Sequence, residues 1–271
     1  MQKILLALSP SNMNREVIDF SCYLSKLAHT RITGVFLGAP HTAETVKRSL
    51  QMEHQRSVAH LAPDNNSLLA YAMVHFKEAC ICRDTDYLLH GDRCVTAEEL
   101  VEESRFSDLM ILPPGLSYNQ DIETAPSALA RAILTRAECP VILAPEAFDG
   151  IHEVVYTYNG NSASVYAIKQ FTYLFPEFTK SNITILAVNS GHTGFPDEPA
   201  LMEWIESHYT RVTYKSLSGD PVDQLILYLL SRRNALVVMG AYGRSAFSRL
   251  IRKSTADPLS GTLLHPIFIA H

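Results

Sequence analysis

Residues 235–259 read ALVVMGAYGRSAFSRLIRKSTADPL. The stretch opens as a short apolar, β-branched run, passes into glycines, arginines and hydroxyls, and returns to apolar residues at Leu259. A run of this length bounded by turn residues reads as a strand covered on both faces, and the polar part as its connection to a helix.

Working outward, the same kind of run recurs along the whole chain. The first half holds KILLAL (3–8), ITGVFL (32–37), DYLLH (86–90), DLMILPP (108–114) and PVILAP (140–145). The second holds EVVYTY (153–158), NITILAV (182–188), RVTYKSL (211–217), ALVVMG (235–240) and PIFIAH (266–271). Between strands the spacing turns helical, as in NREVIDFSCYLSKLA (14–28), where Val17, Phe20 or Ser21, Leu24 and Leu27 or Ala28 share one side. Alternating strand and helix predicts parallel sheets.

The order occurs twice, which marks an internal duplication. Ile32-Thr33 matches Ile183-Thr184, Asp108 matches Ala235 and Pro140 matches Pro266, so the second half is about 24 residues shorter between its second and third strands. Residues 38–85 form a long polar and helical insert there; residues 190–210 replace it. The reading gives two domains, 1–148 and 149–271, parted by the turn residues Phe148-Asp149-Gly150. The expected fold class is α/β: two tandem Rossmann-like domains, each a five-stranded parallel sheet flanked by helices.

Composition bounds the function. The 271 residues are 47% hydrophobic and 19% charged, enough to bury large cores. A net charge of -5 argues against a nucleic-acid-binding surface, so any anion site must be local. No apolar run reaches the roughly 20 residues of a membrane span, and MQKILLALSP is too short for a signal peptide, so a cytoplasmic protein is expected. Five scattered cysteines, Cys22, Cys80, Cys82, Cys94 and Cys139, suggest reduced thiols rather than a disulfide framework.

In open parallel sheets, ligands bind beyond the carboxyl ends of the strands. Met239-Gly240 ends such a strand, and Gly240 and Gly243 offer backbone amides for a cradle. Ser254-Thr255-Ala256-Asp257 has the form of a capped helix start, which attracts phosphate. Arg244, Arg249, Arg252 and Lys253 supply positive charge, against the plainer reading of a solvated basic loop. Asn159-Gly160-Asn161-Ser162, after the first strand of this half, either faces the same crevice or is an ordinary capped turn.

These residues and the duplication resemble a tandem universal stress protein, two copies of the UspA domain over essentially the whole chain. The nucleotide-binding members of that family carry G-x2-G-x9-G-[ST] after the fourth strand and an Asp at the end of the first. Gly240, Gly243 and Ser254 match this pattern, whereas Lys253 stands at the third glycine and Asn159 at the Asp. In the first half Pro113, Leu116 and Ser9 replace the two glycines and the Asp, and Pro126-Ser127 keeps only the hydroxyl. The prolines remove amide donors. The resemblance therefore implies ATP or AMP, with Mg2+ the one metal admitted, held in the second half by Asn159, Gly160, Val188, Met239, Gly240, Gly243, Arg244, Lys253, Ser254 and Thr255. It also implies a regulatory protein in a stress response acting on a protein partner, and an internal pseudo-dimer through the two last strands that leaves homodimerisation optional.

No nucleophile-base pair, Walker loop or paired carboxylate is apparent, so catalysis beyond slow ATP hydrolysis is not expected. Cys80-x-Cys82 lacks metal-site spacing and a second pair, and the eleven histidines form no metal pattern and read as surface or capping groups. The rival reading is an interaction protein with a vestigial crevice, acting through residues 38–85 or the domain interface.

Overall fold

The computed structural model describes residues 1–38, 65–118, 125–189, 198–240 and 265–270. Ten strands form one sheet: β1 Lys3–Leu8, β2 Arg31–Phe36, β3 Tyr87–Leu89, β4 Leu109–Leu112, β5 Val141–Leu143, β6 Glu153–Tyr158, β7 Asn182–Asn189, β8 Val212–Ser218, β9 Ala235–Gly240 and β10 Ile267–Ala270. The described helices are α1 Arg15–Leu27, α2 Asn65–Cys82, α3 Ala97–Ser104, α4 Ala128–Arg136, α5 Ser162–Leu174, α6 Glu198–His208 and α7 Pro221–Leu230, with a 3-10 turn at Pro176–Lys180. None of them is long and apolar enough to cross a membrane.

Both faces of the sheet are covered, which explains the near-continuous apolar runs. Along β1, Ile4, Leu6 and Leu8 join the cluster under α1 and α2, while Leu5 and Ala7 join the one under α3 and α4. In the second half Leu236 and Val238 of β9 face α5, and Ala235, Val237 and Met239 face α7. The same period of two runs through every long strand. Helix α1 shows the complementary 3.6 period: Asn14 caps it by accepting the Glu16 N–H at 2.9 Å, and Val17, Phe20, Ser21 and Leu24 are buried beneath it.

Strand order is β3-β2-β1-β4-β5-β10-β9-β6-β7-β8. Each half is parallel within itself, and β5 meets β10 antiparallel. The ladders set Met110 beside Val141 and Val237 beside Ile267, so Val141, Ile142 and Leu143 correspond to Ile267, Phe268 and Ile269. Across the seam Val141 pairs with Ile269, Ile142 with Phe268 and Leu143 with Ile267. The central residue faces its own counterpart and the flanking ones exchange, the pattern of a local two-fold axis. Phe268 packs edge-on against Phe171 of α5 at 5.2 Å.

Several elements are shorter than their apolar runs. Strand β4 stops at Leu112 because Pro113 and Pro114 cannot donate to the ladder, and the chain turns there through Leu116 N–H to Pro113 C=O at 3.2 Å. Strand β3 ends ahead of Gly91, whose φ is +71°. The one described helix of the first-half insert is α2; residues 39–64 lie outside the described part. One histidine departs from the surface expectation: His265 is buried, its Nε2 3.0 Å from the Leu229 carbonyl, because the chain enters β10 beneath the end of α7.

At the end of β9, a Cβ on Gly240 would stand 2.5 Å from the Ala163 backbone carbon and oxygen. The first turn of α5 crosses the strand at that point, and only glycine leaves room.

Gly240→Ala is expected to lower unfolding free energy by about 1–3 kcal/mol, since α5 must move off the sheet; urea denaturation of the two proteins measures this. Phe268→Ala, at the centre of the seam, is expected to cost about 3–5 kcal/mol in the same assay.

Candidate functional site

The strand ends of the second half enclose a cavity of about 100 Å³. Strand β6 ends at Tyr158 and passes into Asn159-Gly160-Asn161, with Gly160 at φ +79°. The Asn159 carboxamide oxygen accepts the Asn161 N–H at 3.2 Å, and Asn161 in turn accepts the Ser164 N–H at 2.9 Å and caps α5. Turn and cap are thus what these side-chain oxygens do, while Asn159, Asn161 and Ser164 also line the cavity. Both sequence readings of this turn are realised together.

Strand β7 contributes Leu186 and Val188, and β9 contributes Met239 and Gly240. The remaining wall is the start of α7, where Asp220 caps the helix by accepting from Val222 and Asp223 at 3.0 and 3.2 Å, setting Pro221, Val222 and Leu225 against the opening. Sequence reasoning did not include this wall, although Asp220-Pro221 ahead of an apolar run is a helix start that could have revealed it. Gly160 holds the turn and is not part of the lining. Gly240 lines the cavity, yet the close approach that excludes a side chain comes from α5 and not from a ligand. Gly243, Arg244, Lys253, Ser254 and Thr255 lie outside the described residues.

The lining is mainly apolar, with a few polar groups on the β6 side. Thr157 donates to the Val238 carbonyl at 3.2 Å, and Ser164 Oγ donates to the Asn161 carbonyl at 2.8 Å. The described walls contain no charged side chain. Such a surface suits the faces of a flat heteroaromatic ring. In size it approaches the apolar cavity of about 150 Å³ that takes up benzene in an engineered protein. Helices α5 and α7 both begin at its rim, placing two positive dipole ends there.

The described residues at the corresponding place of the first half differ in burial. Val35, Leu37 and Leu112, the counterparts of Leu186, Val188 and Met239, are all buried, whereas Val188 is half-buried. Leu116 is buried in the same cluster. Ser127, fully buried, caps α4 through the Ala130 N–H at 3.0 Å, and its hydroxyl donates to the Leu116 carbonyl. Ser9 Oγ is engaged with Ser11 Oγ at 2.9 Å.

The Cys80-x-Cys82 pair divides across α2, Cys80 buried and Cys82 exposed, and all five cysteines are free thiols.

No protein-family model matches the chain, and no curated protein matches it. Among solved structures, a universal stress protein from Archaeoglobus fulgidus DSM 4304 superposes with a TM-score of 0.67 at 13% identity, covering 99% of this chain and 97% of its own. A putative universal stress protein from Pseudomonas aeruginosa UCBPP-PA14 gives 0.50 at 9% identity, with coverage of 98% and 92%. A functionally unknown protein from Pseudomonas aeruginosa PAO1 gives 0.50 at 10%, with 98% and 91%. At these identities the likeness speaks for architecture, and it runs the length of both chains: this protein has the α/β fold of the universal stress proteins.

Proposed function

We propose that the chain is a regulatory protein resembling the universal stress proteins, binding an adenine nucleotide, ATP or AMP, at the strand ends of its second half. The observation that carries this reading is the apolar cavity between Val188, Met239 and Leu225 at the strand ends of the second half, where Val188 is half-buried and its first-half counterpart Leu37 is buried. The base lies between Val188 and Met239 with its edge toward Asn159. The phosphates lie toward Gly243 and Ser254-Thr255, as the motif spacing implies, with Arg244 and Lys253 supplying charge. Occupancy acts by favouring one arrangement of the 241–253 connection, which a protein partner reads.

A second reading, an interaction protein whose crevice is vestigial, is favoured by the outer face of α2. Tyr71, Val74 and Ile81 are 68%, 51% and 64% exposed there, three large apolar side chains on one helix of the insert.

Calorimetric titration with ATP and AMP separates the two. Saturable binding tighter than about 1 mM, roughly -4 kcal/mol, is expected of the wild type. Val188→Phe, which fills the cavity from a half-buried position, and Gly243→Val, which removes the cradle, are each expected to weaken binding at least about tenfold, about 1.4 kcal/mol, with thermal unfolding little changed. Wild type that gives no heat with either nucleotide, and no adenine released on denaturing freshly purified protein, would leave the second reading standing.

A further inference from the structure

The polar groups of the second-half cavity are fixed in sign by the bonds they already make. Thr157 and Asn159, two residues apart at the end of β6, both line it. The Thr157 hydroxyl donates its one proton to the Val238 carbonyl at 3.2 Å, so its oxygen has only lone pairs to offer. Asn159 is the reverse. A backbone N–H can only donate, so the atom that meets the Asn161 N–H at 3.2 Å is the carboxamide oxygen, and the amide Nδ2, with two protons, has no partner among the described residues. Asn161 is turned the same way, its oxygen held by the Ser164 N–H at 2.9 Å, and the Ser164 hydroxyl is spent on the Asn161 carbonyl at 2.8 Å. The cavity thus offers an acceptor at Thr157 and a donor at Asn159, between apolar walls from Val188, Leu225 and Met239.

Given the nucleotide site proposed above, on which this rests, we infer that Thr157 and Asn159 set its base specificity and select a 6-aminopurine over a 6-oxopurine. A nucleotide whose phosphates lie toward Gly243 carries its sugar on that side. The ring edge farthest from the sugar, with N1 and the substituent at C6, then enters first. In adenine that edge has an amine that donates beside a ring nitrogen that accepts: the amine meets the Thr157 oxygen, and N1 meets the Asn159 Nδ2.

In hypoxanthine both signs are reversed. The C6 oxygen accepts and N1 carries a proton, so lone pair meets lone pair at Thr157 and proton meets proton at Asn159. Each mismatch strips a polar group of water and leaves it without a bond, which is where discrimination between similar ligands is large. Apolar walls and phosphate contacts cannot make this distinction, because the two nucleotides are alike in charge, in sugar and nearly in ring shape.

The test is calorimetric titration of the full chain with ATP and with inosine triphosphate. Wild type is expected to bind ATP at least about tenfold more tightly than inosine triphosphate. Asn159→Asp keeps the oxygen that the turn needs but puts an acceptor where the amide donated, and Thr157→Val keeps the branched shape without the oxygen. In each variant the two dissociation constants are expected to come within about threefold of each other. Taking their ratio removes the effect of the added carboxylate charge, which both triphosphates feel. Should Thr157→Val fail to fold, Asn159→Asp decides alone, since residue 159 is exposed in a turn and Asp accepts the same N–H. Equal affinity for the two nucleotides in wild type, or a ratio that either folded variant leaves unchanged, overturns the inference while leaving the nucleotide site in place. Failure of both nucleotides to bind removes the site and the inference with it.

Discussion

Everything else in this molecule is arranged around the short antiparallel ladder between β5 and β10. Each half is a parallel sheet whose fifth strand would otherwise be a bare edge of unpaired amides and carbonyls, and the seam removes both edges at once. The apolar clusters on the two faces run through it without a break, Ile142 and Phe268 in one and Leu143 and Ile267 in the other. Antiparallel joining also has a geometric consequence. The carboxyl ends of the strands point one way in the first half and the opposite way in the second, so the two strand-end crevices lie at opposite rims. No ligand can bridge them, and the described cavity is walled entirely by residues 157–240.

Within that frame the halves differ by a handful of side chains. The first half places two prolines and a leucine after β4, and Leu116 enters the core, where its carbonyl also holds the Ser127 hydroxyl. The second half places Gly240 at the same point. That glycine is needed for α5 to lie on the sheet whether or not anything binds. A second difference is Val188, which stays half-buried where Leu37 is covered. An apolar wall left open costs about 25 cal/mol for each Å² not buried.

The fold was legible because burial on both faces writes each strand as an apolar run, and the duplication supplies the same order twice. All ten runs contain a strand. Ends were less legible, since Pro113 cuts β4 short through a missing donor and nothing in the apolar pattern of DLMILPP marks where the ladder stops. The cavity lining was legible where it is sequential, at Asn159, Val188, Met239 and Gly240. It was not where a distant element closes it, as Pro221, Val222 and Leu225 do.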